Sequence, residues 1–121
     1  ARSKRSSDLR AAALAGLAQV AKPKKETLAE VVLLLAEEEW AVVDGAERVV
    51  EAAGKPGVAA LANLLAVGND ARRLAALRAV SKLGPKAKAA RGAVAKLLGH
   101  ENPFVAGEAQ QALAAIDEKK K

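Results

Sequence analysis

A helix-opening phrase is written three times in this chain. It reads Asp8-Leu9-Arg10-Ala11-Ala12-Ala13-Leu14, then Asp70-Ala71-Arg72-Arg73-Leu74-Ala75-Ala76-Leu77, and in a variant form Asn102-Pro103-Phe104-Val105-Ala106-Gly107-Glu108-Ala109. A second phrase ending in a Leu pair falls between the copies: Leu28-x2-Val31-x2-Leu34-Leu35, Val58-x2-Leu61-x2-Leu64-Leu65, and Val94-x2-Leu97-Leu98. The pairs therefore open at Leu34, Leu64 and Leu97, a nearly regular recurrence. Two helical phrases repeated at such a period mark a helical solenoid, in which each unit buries its apolar face only against its neighbours. Solenoids present long surfaces to partners, so the pattern speaks to shape before it speaks to chemistry.

Composition agrees. Of 121 residues 31 are Ala, and Trp40 and Phe104 are the only aromatics. Ala loses no side-chain entropy in a helix and lets helices approach closely, which favours tight stacking over a deep ligand pocket. No period-2 run of β-branched or aromatic residues is present, so the expected class is all-α. The chain lacks Cys, which excludes disulfides, thiolate catalysis and zinc–thiolate sites. No apolar run approaches the roughly 18 residues of a membrane span, and the basic start Ala1-Arg2-Ser3-Lys4-Arg5 lacks the apolar stretch of a secretory signal. A cytoplasmic location is expected, with a processed organellar protein the other option. The absence of Met implies that an initiator was removed.

Caps and breakers divide the chain into a basic tail (1–6), a repeat domain (7–118) and a second basic tail (119–121). Ser7 or Asp8 caps a helix reaching about residue 21, with Leu14, Leu17 and Val20 on its buried stripe. Lys22-Pro23 ends it, and a second helix follows over about 26–38. Val42, Val43, Ala46, Val49, Val50 and Ala53 form the next stripe, stopped by Gly54-Lys55-Pro56-Gly57. Its partner covers about 58–67. Asp70 caps a helix in which Leu74, Leu77, Val80 and Leu83 pack, Gly84-Pro85 turns the chain, and a return helix covers 86–98. Asn102-Pro103 opens a last, unpaired helix to about 118. Three pairs and one extra helix make seven.

The stretch Asn69-Asp70-Ala71-Arg72-Arg73-Leu74-Ala75-Ala76, continued by Ala79-Val80 and Leu83-Gly84-Pro85, resembles the first helix of a bacterial HEAT repeat, of the type also called PBS-lyase HEAT-like. Asn102-Pro103-x-Val105-x3-Ala109-x2-Ala112-Leu113-x2-Ile116 is similar, and the likeness extends over about 7–117. It implies a short right-handed α-solenoid of about three and a half helix pairs, first helices convex and second helices concave. It also implies a structural role for Arg10 and Arg73, which stand where the family places an Arg commonly tied to a loop Asp. Val43 and Ala106 occupy the corresponding positions elsewhere, so any Arg ladder is interrupted. Members of this family bind proteins, nucleic acids or cofactors, so the likeness carries architecture and not function.

Charge is segregated along the chain. Residues 1–25 carry +6, 26–54 carry −7, 55–100 carry +8 and 101–121 carry −1. The basic zone comprises Arg72, Arg78, Lys82, Lys86, Lys88, Arg91 and Lys96, which reads either as a phosphate or acidic-protein footprint or as a solvated face. Glu37-Glu38-Glu39 reads as a solvated helix end opposing the macrodipole, without calcium-loop spacing. His100 stands in a loop with no Ser, Cys or second His arranged around it, and Ser81 has no base near it in sequence. No enzyme activity, metal or cofactor is expected. Trp40 and Phe104 are expected to pack between units. The function expected is a non-catalytic protein-interaction scaffold or adaptor; the alternative is a phosphate-backbone nucleic-acid binder using the basic zone and tails.

Overall fold

The computed structural model describes residues 13–14, 16, 24–37 and 40–118. Every regular element among them is helical. In chain order these are α1 (Lys25–Leu33), a 3-10 turn η1 (Leu34–Ala36), α2 (Trp40–Ala53), α3 (Lys55–Val67), α4 (Asp70–Leu83), a 3-10 stretch η2 (Gly84–Ala90), α5 (Arg91–Ala95) and α6 (Pro103–Ile116). Ala13, Leu14 and Gly16 are also helical. The tails, Arg10, Leu17 and Val20 lie outside the described residues.

Five helices of nine residues or more are therefore present among the described residues, not seven. The first expected helix falls largely outside them. The expected return helix over 86–98 is broken: η2 is kinked at Ala87 (φ −94°, ψ 18°), α5 is only five residues long, and turns follow over 96–99. Gly84, Pro85 and Gly92 explain this, because Gly is costly in a helix interior and Pro removes a donor. The apolar pattern survives the breakage, with Ala87, Ala90, Val94 and Leu97 all buried.

The helices form two layers. α1, α3 and the η2–α5 segment lie side by side in one layer, while α4 lies along α6 in the other, its most extensive contact. Glu47 reaches Lys82 and, one turn on, Glu51 reaches Lys86, so α2 runs in the same direction as α4. Asp70 meets Asn102 at one end of the α4–α6 pair. A Cβ on Gly84 at the other end would lie 3.4 Å from the carbonyl oxygen of Ala115. Those two helices are parallel as well. Leu14 reaches α2, where a Cβ on Gly45 would lie 2.9 Å from the Leu14 Cβ.

Two turns repeat. Gly54 (φ 67°) ends α2 and Gly84 (φ 59°) ends α4, each in the left-handed region that a side chain disfavours. The other set of connections carries Asn caps: Asn69 accepts the Arg72 amide hydrogen at 2.9 Å and Asn102 accepts that of Phe104 at 2.9 Å. Asn69 therefore caps α4 and not Asp70, which is its first helical residue. Both are short acceptors in the first turn, and the side chain one place earlier reaches the free amide. α3 begins at Lys55, three residues earlier than expected, because Pro56 sits in the first turn where its missing N–H costs nothing.

The core is one continuous cluster. Leu28, Val31, Leu35, Val42, Ala46, Val49, Val50, Leu61, Leu65, Leu77, Val80, Val94, Val105, Ala109, Ala112 and Ile116 are all buried in it. Leu34, Val43, Leu74 and Leu83 are only half-buried. On α4 the small residues Ala75, Ala76 and Ala79 are buried instead, since this helix is enclosed on more than one side and Ala permits close approach. The last helix carries Gln110, Gln111, Ala114 and Glu118 on its exposed side, a fairly polar end for the stack.

Candidate interaction surfaces

Residues of the two Asn-capped connections converge on Asp70. Its Oδ2 accepts from Nδ2 of Asn102 at 3.0 Å, and its Oδ1 lies 3.4 Å from Nη1 of Arg73 and 3.6 Å from Nε2 of His100. The Asn102 hydrogen bond, followed by His100 and Arg73, holds the Asp70 carboxyl below its ordinary 3.8, although desolvation pushes the other way. The backbone N–H of Asn102 donates to Nδ1 of His100 at 3.0 Å. That nitrogen is the acceptor of this bond. His100 is thus held within its own connection through Nδ1, with Nε2 facing Asp70 of the neighbouring one at 3.6 Å. Asn102 and Asp70 were legible individually as cap-type residues; their meeting, from opposite ends of a whole helix pair, was not.

Arg73 fastens the start of α4 to the end of α3. Its Nε donates to the carbonyl oxygen of Leu65 at 3.1 Å and its Nη2 to that of Ala66 at 3.4 Å. The guanidinium therefore covers carbonyls in the last turn of α3, where helical partners run out and the macrodipole is negative. Its acidic neighbour is Asp70 of its own helix, three residues back.

Three of the seven residues of the basic zone are engaged in ion pairs. Lys82 pairs with Glu47 at 3.0 Å and Lys86 with Glu51 at 3.4 Å, both across to the acidic α2. Arg91 forks onto Asp117 with two contacts of 2.9 Å, beyond the end of α6. Each partner shifts the other: the Arg91 hydrogen bond lowers the Asp117 carboxyl, and Asp117 raises Arg91. Arg72, Arg78, Lys88 and Lys96 have no ion-pair partner among the described residues. They are split between α4 and the η2–α5 side. Ser81 is half-buried, and its hydroxyl is enclosed without a hydrogen-bond partner among the described residues.

Two open grooves mark the layer of α2, α4 and α6. One, of about 430 Å³, lies between α2 and α4 and is lined by Asp44, Glu47, Arg48, Val50, Glu51, Ala79, Lys82 and Leu83. The other, of about 250 Å³, lies between α4 and α6, over Leu74, Arg78, Pro103, Phe104, Gly107, Glu108 and Gln111. No group of three metal-ligating side chains occurs among the described residues, and no helix is long and apolar enough to cross a membrane.

The two aromatics depart from expectation. Trp40 is 76% and Phe104 75% exposed, so neither packs between units. Each falls in the first turn of its helix. Val67 is 73% exposed, and Leu33 and Leu98 are exposed to a lesser degree. All five flank the three connections that lead into α2, α4 and α6. Because corresponding helices are parallel, those connections share one rim of the molecule. For Phe104 the preceding Asn102–Pro103 cap carried this signal, and for Trp40 no such marker stands in the sequence. No family model and no curated protein matches the chain.

Proposed function

We propose that this chain is a non-catalytic protein-interaction scaffold, a short right-handed α-solenoid of HEAT-like helix pairs. The matching turns at Gly54 and Gly84, the matching caps at Asn69 and Asn102, and the parallel layers support the repeat reading. The scaffold reading rests on one observation: the large apolar side chains left exposed, Leu33, Trp40, Val67, Leu98 and Phe104, gather on one rim. Scattered exposed apolar residues need no explanation, whereas a row with two aromatics has the composition of interface anchors. On this reading the protein works in the cytoplasm, and its partner covers the rim.

The nucleic-acid alternative draws support from Arg72, Arg78, Lys88 and Lys96, exposed cations without ion-pair partners among the described residues. It loses Lys82, Lys86 and Arg91 to internal pairs. One paired experiment separates the readings. Proteins captured from extract by the wild-type chain are compared with those captured by a Trp40→Ser, Val67→Ser, Phe104→Ser variant. In parallel, duplex and single-stranded nucleic acid are titrated across a salt series. The scaffold reading expects a defined set of proteins lost with the rim variant and weak nucleic-acid binding. Tight binding that falls steeply with salt and is lost in an Arg72→Ala, Arg78→Ala, Lys88→Ala, Lys96→Ala variant would reverse it.

A further inference from the structure

The segments through which the chain enters α1, α3 and η2 share a composition. They read Lys22-Pro23-Lys24-Lys25, Gly54-Lys55-Pro56-Gly57 and Gly84-Pro85-Lys86-Ala87-Lys88, each pairing Pro with Lys. No Lys or Arg occurs in Glu37-Glu38-Glu39 before α2, in Gly68-Asn69 before α4 or in Gly99-His100-Glu101-Asn102 before α6. The Lys-bearing entrances lie along one rim. Lys86 meets Glu51, in the last turn of α2, at 3.4 Å, which sets the entrance to η2 beside that to α3. Arg91 on Asp117 at 2.9 Å brings the start of α5 to the end of α6. α1 packs beside α3 and leads through η1 into α2, so its first residues stand at the end away from Trp40. Lys24, Lys25, Lys55 and Lys88 are exposed and have no ion-pair partner among the described residues. Lys86 and Arg91 are held by Glu51 and Asp117, and exposed Glu26 and Glu118 stand among them.

We infer that this rim is a second docking surface whose occupant is an extended acidic segment of a partner protein. It is separate from the surface of the scaffold reading, since the exposed large apolar side chains lie on the opposite rim. Four unpaired ammonium groups attract a polyanion, and their surroundings select among polyanions. Lys is a compact point charge without the fork by which Arg grips phosphate, and Arg91 is already paired. Both aromatics are elsewhere, so bases have nothing to stack on, and no large apolar side chain is placed to enter a lipid surface. Glu26 and Glu118 disfavour a backbone charged at every nucleotide, whereas a peptide can set a neutral residue against each. Spacing suits a peptide as well. Neighbouring helices of a layer lie about 8–10 Å apart, and an extended chain advances about 3.3–3.6 Å per residue. Carboxylates three residues apart therefore meet Lys on successive entrances, and about seven residues span all three.

The test is fluorescence anisotropy of a labelled oligo-glutamate of about nine residues, titrated with the full chain. Binding is expected at low salt and weakens steeply as salt rises. A Lys24→Gln, Lys55→Gln, Lys88→Gln variant binds at least about tenfold less tightly, roughly 1.4 kcal/mol shared among three exposed pairs. An Arg72→Gln, Arg78→Gln, Lys96→Gln variant removes the same charge elsewhere and changes affinity by less than about twofold. Circular dichroism stays unchanged in both, because every substituted side chain is exposed. Absence of binding at low salt overturns the proposal. Equal losses in the two variants overturn it too, by showing that only net charge matters. A nucleic-acid duplex of matched charge, or phosphatidylserine vesicles, held more tightly than the peptide and released by the same three lysine substitutions, would assign the rim to another partner and sink the acidic segment. The Trp40→Ser, Val67→Ser, Phe104→Ser variant should bind oligo-glutamate as the wild type does, so failure here and failure of the scaffold reading are told apart; loss of peptide binding in that variant would place the site on the wrong rim.

Discussion

Replacing Arg73 with Met tests whether the guanidinium fastens two helix pairs or merely rests on the surface. Its side chain is 23% exposed, and it sends Nε to Leu65 O at 3.1 Å and Nη2 to Ala66 O at 3.4 Å. Met keeps much of the apolar stem and deletes the donors. A hydrogen bond from a charged donor contributes about 1.5–3 kcal/mol, and the longer contact adds little at that distance. The pairing with half-exposed Asp70 adds little in water. The expected loss is about 2 kcal/mol, which lowers Tm by roughly 6–10 °C in a domain of this size. Urea unfolding followed by circular dichroism should show a lower midpoint with the same m value. Arg73→Lys recovers only part, because one ammonium cannot fork over two carbonyls. Arg78→Met, at an exposed position on the same helix, should change stability by less than about 0.5 kcal/mol. Equal shifts for the Arg73 and Arg78 variants would refute the fastening role.

Gly57→Ala should destabilise by about 2–3 kcal/mol in chemical denaturation, because the added Cβ would meet the Val50 carbonyl oxygen at the α2–α3 crossing, where backbone has to move. Ser81→Ala should raise stability by about 1 kcal/mol in the same assay, since it removes an enclosed hydroxyl that has no partner among the described residues. Asp70 and Asp117 have folded-state pKa values below the ordinary 3.8, so the stability they contribute is present above that value and is lost as pH falls below it. Melting temperature against pH should therefore drop below about pH 4, and Asn102→Ala should flatten the Asp70 part of that drop. Reversing Glu47 and Glu51 to Lys should loosen the α2–α4 junction, seen as faster amide exchange there, and reversing Lys82 and Lys86 to Glu in the same chain should restore it.

Much of the fold could be read from the chain because its signals are local. A helix stripe, a Gly with positive φ and an Asn before Pro each act within a few residues, which is why Gly54, Gly84 and Asn102 stand where the pattern put them. The errors arose where two local signals competed. Asn69 and Asp70 both suit a cap, and the fold used the first, leaving Asp70 free to bind Asn102. Over 86–98 the apolar spacing predicted one helix, while Gly84, Pro85 and Gly92 weakened its backbone enough to divide it. The Asp70–His100–Asn102 cluster and the attachment of Arg73 to Leu65 depend on how connections stack, and no spacing rule encodes that.

The two surfaces differ in what folding has already done with them. Lys82, Lys86 and Arg91 have internal acidic partners, and the −7 and +8 segments that supply two of these pairs are neighbours in the stack. Opposite charge on adjacent units aligns α2 with α4 across a junction where a groove of about 430 Å³ stands open. Such exposed pairs add little stability, yet they disfavour a slipped register that would set Lys82 or Lys86 without a carboxylate. Segregated charge along the sequence is thus partly an instruction for stacking and cannot all be counted as binding surface. Trp40, Val67 and Phe104 have no comparable internal role, since each remains about three-quarters exposed. Burying them against another surface gains roughly 25 cal/mol per Å² of apolar area before the costs of association. The apolar rim, more than the basic zone, is therefore the surface on which binding has most to gain.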